Sequence, residues 1–387
     1  MNNRKPKIIF WNAFSLIGGS EKVLLILIDS LRDKYQIKVI VPTKGPLEKE
    51  ITKRGIPIIL LPTGAYTKGN KNIKDLCKYL FYTFYVLAIG TKKIRTEKPS
   101  LLYVNGVKSL PFAFLIGKIT RTPLIGHIHH ILEDKKAIKI IEIIGKRSIF
   151  KKFIAVSEAT KKQFPSISNK ITVVYNGVDT SLFSSNKDNK LNIKKRFGIK
   201  EDEKILGILA RIIPHKGIHI GIGAMKHLNT TPLKIKLLIA GETPPEEEEY
   251  KKRLIEMIKK EKIERVEFLP YQEDVSDVFN VLDILLVPST TLFEGCPMAI
   301  LEAYSAEVPV IGTNLGGIPE LIEEGKTGFI CKSNDSQDLA EKILQIINNY
   351  PLHSDMKKKC KKIAIEKFDI RTFLKNINLV LDTVINC

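Results

Sequence analysis

Short apolar runs rich in β-branched residues alternate with helical patterns along almost the whole chain. The first half contains the runs KIIFW, IKVIV, IPIIL, LLYVN, PLIGHI and FIAVS, and helices are predicted at 20–31, 47–54 and 73–94. The second half repeats the alternation with KILGILA, KIKLLIAG, VEFLP, DILLVPS and VPVIG. Strands that alternate with helices in this way are typical of βαβ units, which build parallel sheets.

The polar, lysine-rich stretch SSNKDNKLNIKKRFGI interrupts this alternation and is predicted to be a linker. A chain of 387 residues is long enough for two hydrophobic cores. We therefore predict an α/β fold of two doubly wound, Rossmann-like parallel-sheet domains that face a cleft, with ligand bound at the carboxyl ends of the strands. The predicted domains cover residues 1–187 and 188–365, and residues 366–387 form a final helix.

The net charge of +20 is unevenly distributed. Residues 1–190 contain 34 Lys and Arg against 13 Asp and Glu, whereas residues 191–387 contain 28 against 29. A general bias toward lysine would affect both halves, so the basic half suggests an anionic partner such as acidic lipid, nucleic acid or a phosphorylated acceptor. Nucleic acid is not expected, because the basic residues are scattered and no aromatic-interleaved RNA-binding motif is present.

Cysteine usage and the N-terminal segment favour a cytoplasmic protein. The 5 cysteines include no CxxC pair, which argues against a disulfide framework and a zinc site, and MNNRKPKIIFWNAFS lacks the pattern of a signal peptide. The segment IKDLCKYLFYTFYVLAIGTKKIRTEK has an apolar centre and a basic end, as interfacial membrane helices do. A buried core helix is the alternative. Peripheral binding to the inner face of an anionic cell membrane is therefore a hypothesis.

The sequence ILARIIPHKGIHI contains a candidate phosphate site. Arg211 follows a strand of buried type, and Lys216 lies just before a predicted helix. The free amides of a helix N-terminus and two fixed cations all favour oxyanions. A surface loop with two solvated bases is the alternative explanation.

The sequence FEGCPMAILEAY surrounds one apolar helix with two carboxylates. Glu294 is predicted in the loop before the helix, Pro297 in its first turn and Glu302 inside it. Gly295 permits close approach to a ligand, and the amides near Cys296, Met298 and Ala299 open toward the helix start. Carboxylates accept hydrogen bonds from hydroxyls, so a nucleotide-sugar, with a diphosphate between two hydroxyl-bearing ends, would fit both carboxylates and cations. A solvated Glu302 is the alternative.

Two N-terminal motifs are less specific. Gly18 and Gly19 lie between the first strand and the first helix, where they either approach a ligand or form an ordinary turn. The sequence PLIGHIHH places His127 and His129 on one face of a strand and His130 on the other. No acidic or cysteine partner has a recognisable spacing nearby, so no metal site is expected.

These motifs together resemble the retaining nucleotide-sugar glycosyltransferases of the GT-B fold, and most closely glycosyltransferase family 4. The resemblance is carried by GGSEKVLL, IGHIHH, FIAVSEATKKQF, VVYNGVDTSLF, ARIIPHKG and FEGCPMAILEAYSAEVPVIGTNLGGIPELI. The E-x7-E pattern followed by GGIPELI is the most specific part. Another enzyme of this architecture, such as a sugar-nucleotide epimerase or a phosphorylase, is the nearest alternative.

The resemblance implies a metal-independent, retaining hexosyltransferase that needs no cofactor and uses a UDP- or GDP-linked sugar. Its acceptor would be a glycan, a lipid-linked saccharide or another anionic molecule in cell-surface polysaccharide, glycolipid or glycan synthesis. The resemblance also implies roles for individual residues. Arg211 and Lys216 would bind the donor diphosphate, with Gly18 and Gly19 near it, while Glu302 would bind ribose, Glu294 the donor sugar and His129 the transferred sugar. Sugar or phosphate oxygens would be bound by the segment Gly295, Cys296, Pro297, Met298 and Ala299. His127 and His130 remain alternatives to His129. The final helix is expected to cross back onto the N-terminal domain.

Overall fold

The computed structural model describes residues 5–62, 73–183, 187–270, 272 and 275–385, and the chain divides into two compact units. The first unit comprises residues 1–175 and 374–387, and the second comprises residues 176–373. The predicted limits at 187 and 365 thus lie inside the second unit. Residues before the predicted limit at 187 already bond within the second unit, since the Val178 N–H donates to the Phe368 carbonyl at 2.9 Å.

The first unit is a parallel sheet with helices between its strands. Its strands are β1 (Lys7–Asn12), β2 (Gln36–Val41), β3 (Ile58–Leu60), β4 (Leu101–Asn105), β5 (Leu124–Ile128), β6 (Phe150–Ala155) and β7 (Ile171–Val173). Its helices are α1 (Gly19–Leu31), α2 (Pro46–Lys53), α3 (Ile73–Glu97), α4 (Leu110–Thr120), α5 (Lys135–Gly145) and α6 (Glu158–Lys162). The described strands are ordered β3-β2-β1-β4-β5-β6-β7. The order therefore changes direction at β1, between β2 and β4.

The second unit has the same design. Its strands are β8 (Lys204–Leu209), β9 (Ile235–Ala240), β10 (Val266–Leu269), β11 (Ile284–Val287), β12 (Val310–Thr313) and β13 (Gly328–Cys331). The remaining helices are α7 (Lys187–Arg196), α8 (Ile218–Leu228), α9 (Glu248–Lys260), α10 (Ser276–Val281), α11 (Met298–Ser305), α12 (Ile318–Leu321), α13 (Ser336–Ile347), α14 (Tyr350–Lys367) and α15 (Ile370–Ile385). The described strands are parallel and ordered β10-β9-β8-β11-β12-β13. Here the order changes direction at β8.

The central strands are mostly apolar because helices cover both faces of a doubly wound sheet. Ile8, Ile9, Phe10 and Trp11 of β1 are all fully buried. Each such side chain stabilises the fold by roughly 1.5–3 kcal/mol relative to an exposed one. The predicted α/β class with two parallel-sheet domains is confirmed.

The predicted linker is wrong in one respect, because residues 187–196 form α7. Ile193 is buried, and the Arg196 Nη2 donates to Asp277 at 2.7 Å. A buried apolar side chain and an ion pair thus connect this lysine-rich helix to the second unit. Residues 184–186 of the predicted linker lie outside the described residues.

The predicted final helix is present as α15, and its residues 374–385 belong to the first unit. There Lys34 Nζ donates to Asp382 Oδ1 at 2.9 Å. The segment proposed as interfacial forms α3, although the side chains of residues 73–80 lie outside the description. Within the described ranges, no helix has both the length and the apolar character needed to cross a bilayer.

Candidate functional site

The loop that follows β8 packs against the end of β11. Gly217 has φ +67°, and a Cβ at this position would lie 1.7 Å from the Pro288 carbonyl oxygen, so only glycine fits. The Thr290 N–H also donates to the His215 carbonyl at 3.0 Å. These contacts join the carboxyl ends of the two strands between which the sheet order reverses. In doubly wound folds this position binds ligands.

Lys216 and Glu294 form an ion pair at this position, although 78 residues separate them. The Lys216 Nζ donates to Glu294 Oε1, and the Ser289 hydroxyl lies 3.4 Å from the same oxygen. The side chains are 22% and 9% exposed, respectively. The structure therefore brings the predicted phosphate motif into direct contact with the predicted sugar-binding carboxylate.

Glu294 is held by the glycine pair of the GGIPELI motif. The Gly317 N–H donates to the Glu294 carbonyl at 2.8 Å. Gly316 has φ +60°, and a Cβ there would lie 2.3 Å from that carbonyl oxygen. The backbone of residues 316 and 317 therefore has to pass directly beside Glu294.

Helix α11 begins at Met298, one residue later than Pro297, which is its N-cap rather than part of its first turn. The first amides of the helix, including those of Met298 and Ala299, lack carbonyl partners within the helix. Cys296 precedes them, and its carbonyl accepts from the Asn176 amide at 3.1 Å. Burial raises the pKa of the Cys296 thiol to about 12, so this side chain is a neutral thiol near pH 7.

The other predicted donor-binding residues lie on the same two connections. Arg211 lies two residues after the end of β8, it is exposed, and within the described part of the chain it forms no ion pair. Gly295 lies between Glu294 and the start of α11, and Glu302 is half-buried on that helix. Lys216 and Glu294 thus touch, and Arg211 and Glu302 lie on the same two connections.

In the first unit, His127 and His129 lie at the end of β5 on one face, as predicted. Their ring centroids are 3.9 Å apart, and His127 Nδ1 lies 2.9 Å from the Tyr103 hydroxyl. Burial lowers the pKa of His127 to about 3. Burial, together with the neighbouring His127 and His130, also lowers the pKa of His129 well below its usual value. Both imidazoles are therefore neutral near pH 7.

Three polar residues beside these histidines escaped the sequence analysis. Asn12 and Asn105 end β1 and β4 and pair in register, and both are buried. The Asn105 Oδ1 lies 2.8 Å from His129 Nε2. Glu21 is buried in the first turn of α1, where its carboxylate accepts from the Gly18 N–H at 3.0 Å. The sequence feature that could have identified the two asparagines is their position directly after an apolar run, in KIIFWN and LLYVN.

Gly18 is thus the N-cap of α1, where its amide is bound by Glu21, and Gly19 is the exposed first residue of the helix. The glycine pair has a structural role at this turn. Whether it approaches a diphosphate stays a prediction.

Family models match most of the chain. Residues 189–363 match Glycosyl transferases group 1, and residues 17–182 match Glycosyltransferase Family 4. The first match contains β8 to β13, and the second contains β2 to β7 but not β1. They also contain every site residue discussed above except Asn12.

Individual relatives agree with these matches. The chain is 32% identical over 199 residues to N-acetyl-alpha-D-glucosaminyl L-malate synthase of Bacillus anthracis, a match that covers 51% of this chain and 50% of that enzyme. It is 23% identical to UDP-Gal:alpha-D-GlcNAc-diphosphoundecaprenol alpha-1,3-galactosyltransferase of Escherichia coli, over 99% of this chain and 98% of that one. The crystal structure of Anabaena Alr3699/HepE in complex with UDP has the same fold, with a TM-score of 0.86, 24% identity and coverage of 97% of this chain and 100% of that one.

Proposed function

Because this chain belongs to the group 1, family 4 type glycosyltransferases of the GT-B fold, we propose that it is a metal-independent, retaining hexosyltransferase that uses a nucleotide-diphosphate sugar. The observation that carries the proposal is the Lys216–Glu294 ion pair at the strand ends where the second sheet reverses its order. A cation for phosphate and an acid for sugar hydroxyls lie there side by side.

In the proposed complex, Arg211 and Lys216 bind the donor diphosphate. Glu294 accepts hydrogen bonds from the donor sugar and Glu302 from ribose. The amides at the start of α11, from Gly295 to Ala299, bind sugar or phosphate oxygens. Exposed Arg211 can rotate toward a phosphate without giving up an ion pair among the described residues.

The arrangement favours bond cleavage for an electrostatic reason. As the glycosidic bond breaks, negative charge grows on the departing diphosphate and positive charge grows on the sugar. Fixed cations and helix amides therefore stabilise the transition state more than the ground state. Two cations supply the positive charge that would otherwise come from a metal ion, so chelation with EDTA should leave the rate unchanged. His129 forms a hydrogen bond with a hydroxyl of the transferred sugar.

UDP is the first nucleotide to test, because the galactosyltransferase relative uses UDP-Gal and the Anabaena protein binds UDP. The acceptor is a glycan or lipid-linked saccharide, and the diphosphoundecaprenol-linked acceptor named for that relative supports this class. The reaction serves synthesis of a cell-surface polysaccharide, glycolipid or glycan.

The test incubates the full chain with UDP-, GDP- and ADP-sugars and lipid-linked acceptors, and measures the glycosylated product and released nucleotide. Arg211→Ala should lower kcat/KM by about a hundredfold or more, as loss of one transition-state donor does. Arg253→Ala, which removes an exposed arginine from α9, is the matched control and should be silent. Normal turnover in Arg211→Ala would refute the assignment. Formation of an epimer or a sugar phosphate would instead identify the alternative enzymes.

We also propose that the first unit binds the inner face of an anionic membrane. Phe81 and Phe84 of α3 are 67% and 72% exposed, and Ile119 of α4 is 52% exposed. Phe84 and Ile119 line one groove together with the basic residues Lys92 and Arg95. Exposed aromatic side chains beside cations suit the boundary between acyl chains and anionic headgroups.

Flotation with liposomes tests this membrane proposal. The chain should float with vesicles that contain phosphatidylglycerol and remain unbound with neutral phosphatidylcholine, and the binding should weaken as salt rises. Phe84→Ser should reduce flotation, whereas Leu182→Ser, at an exposed leucine of the second unit, should not. Absence of binding to anionic vesicles at low salt would exclude the proposal.

A further inference from the structure

The buried polar residues of the first unit form one directional chain of hydrogen bonds. The Asn12 amide group donates to Glu21 Oε1 at 3.2 Å, and the Asn105 amide group donates to Asn12 Oδ1 at 2.7 Å. Asn105 Oδ1 then lies 2.8 Å from His129 Nε2. This series of hydrogen bonds thus runs from the first turn of α1, across the ends of β1 and β4, to the end of β5.

The direction of this series of hydrogen bonds is fixed by backbone carbonyls, which can only accept. The Asn12 amide group also donates to the Phe14 carbonyl at 2.8 Å, and the Asn105 amide group also donates to the Ser20 carbonyl at 3.2 Å. Rotating either amide by half a turn would set its oxygen against a carbonyl oxygen.

Glu21 is the acceptor at the end of the chain. Its Oε2 accepts from the Gly18 N–H and the Ser20 hydroxyl, each at 3.0 Å. With the Asn12 amide on Oε1, donors occupy both oxygens, as an ionised carboxylate requires. The acid therefore acts together with the Phe14 carbonyl to set the orientation of Asn12, and the Asn12 oxygen acts together with the Ser20 carbonyl to set that of Asn105.

Asn105 consequently presents an oxygen to His129, and this oxygen needs a donor. A neutral imidazole carries one N–H, and its position is set by the partner of the other ring nitrogen. The proton therefore lies on Nε2, and Nδ1 keeps its lone pair. Within the described part of the polypeptide this Nδ1 is buried and has no hydrogen-bond partner, and His129 as a whole residue is 5% exposed.

We propose that Glu21 is a positioning residue that fixes His129 in the Nε2–H tautomer through Asn12 and Asn105, so that Nδ1 accepts a hydrogen bond from a hydroxyl of the ligand. The class of group that can bind at Nδ1 follows directly: a hydroxyl or N–H, and not a carbonyl or phosphate oxygen. This inference rests on the proposed function only for the identity of that hydroxyl, which is one on the transferred sugar.

The tautomer can be measured without any substrate. Long-range ¹H–¹⁵N correlation spectra of the full chain labelled with ¹⁵N-histidine separate protonated from unprotonated ring nitrogens, and the His129→Gln variant identifies the His129 signals. The wild type should show a protonated Nε2 and an unprotonated Nδ1. In Glu21→Gln an amide group replaces one acceptor oxygen, so only the Phe14 and Ser20 carbonyls still hold the two asparagine amides, and the His129 signals should become those of a mixture of tautomers.

Ser20→Ala is the matched control, because it removes one donor to Glu21 and leaves the chain to His129 complete. It should leave the His129 signals unchanged. Asn105→Ala removes the oxygen that faces Nε2 and gives a second test should Glu21→Gln fail to fold. A wild-type Nδ1–H tautomer, or unchanged His129 signals in both Glu21→Gln and Asn105→Ala, would overturn the proposal.

Kinetics connect the tautomer to the reaction. Glu21→Gln should lower kcat/KM at least tenfold with the normal donor, and much less with a deoxy donor that lacks the hydroxyl bound by His129. An equal loss with all donors would overturn the link to a hydroxyl. If Glu21→Gln shifts the His129 tautomer as expected but the wild-type protein transfers no sugar, the proposed function is refuted and the positioning role of Glu21 still holds.

Discussion

The Lys216–Glu294 ion pair gives a sharp prediction about the second unit, because its two members differ in exposure. Lys216→Met removes the cation that pairs with the buried Glu294 carboxylate, whose Oε1 also lies 3.4 Å from the Ser289 hydroxyl. Glu294→Gln leaves an ammonium that can move toward solvent, since the lysine side chain is 22% exposed. The two single substitutions should therefore not be equivalent.

The magnitude follows from the cost of breaking a buried pair, which is roughly 3–5 kcal/mol when one partner is removed. Partial exposure of the lysine lowers this free-energy cost, so we expect Lys216→Met to destabilise the second unit by about 2 kcal/mol. Glu294→Gln should cost about 1 kcal/mol, close to the net value of one hydrogen bond. The double variant should cost less than the sum of the two, because neither charge is left alone.

Hydrogen exchange at increasing urea, followed on peptides that cover β8, β11 and α11, measures the opening free energy of this region. Peptides from the first unit serve as the internal reference. Lys326→Met, at an exposed lysine of the second unit, is the matched control and should be silent. Equal effects of Lys216→Met and Glu294→Gln, or strict additivity in the double variant, would refute the reasoning.

Two further predictions concern the frame around the sites. Gly217→Ala should destabilise the second unit by well over 1 kcal/mol and abolish nucleotide binding, because its new methyl group would clash with the Pro288 carbonyl. Gly325→Ala is the control: it has a similar φ of +71° but open space around it, so it should cost only the backbone strain of about 1 kcal/mol. Equal losses of stability in the two variants would contradict the predicted clash. Because the pKa of His127 is lowered in the folded state, the unfolded chain binds a proton at this residue at a higher pH than the folded chain does. The free energy of unfolding should therefore fall by up to about 1.4 kcal/mol per pH unit as pH falls from about 6.5 toward about 3. Chemical denaturation of wild type and His127→Gln between pH 7.5 and 5 measures this slope, and an identical slope in both proteins would show that His127 does not contribute.

Much of the fold follows from local sequence patterns. Apolar runs such as KIIFW and KILGILA match β1 and β8 closely, because a strand covered on both faces has to be continuously apolar. Helix α7 was missed because its polar, lysine-rich sequence has the composition of a linker. Its role is visible in the structure from the burial of Ile193 and the Arg196–Asp277 ion pair.

The candidate sites divide in the same way. Lys216 and Glu294 could be identified because each lies in a distinctive motif, and the structure joins them. Asn12 and Asn105 are ordinary residues 93 positions apart, and only the parallel register of β1 and β4 places them side by side. The tautomer of His129 depends on that register, so no local pattern could have predicted it.

The central claim is that two cations of the second unit hold a donor diphosphate. Calorimetric titration of the full chain with UDP, GDP and ADP and with the corresponding monophosphates tests it most directly. We predict that the diphosphate of one base binds at least tenfold more tightly than its monophosphate, about 1.4 kcal/mol, and that Arg211→Ala and Lys216→Met each reduce this ratio toward one. Equal affinity for diphosphate and monophosphate in the wild type, or an unchanged ratio in both variants, would contradict the account.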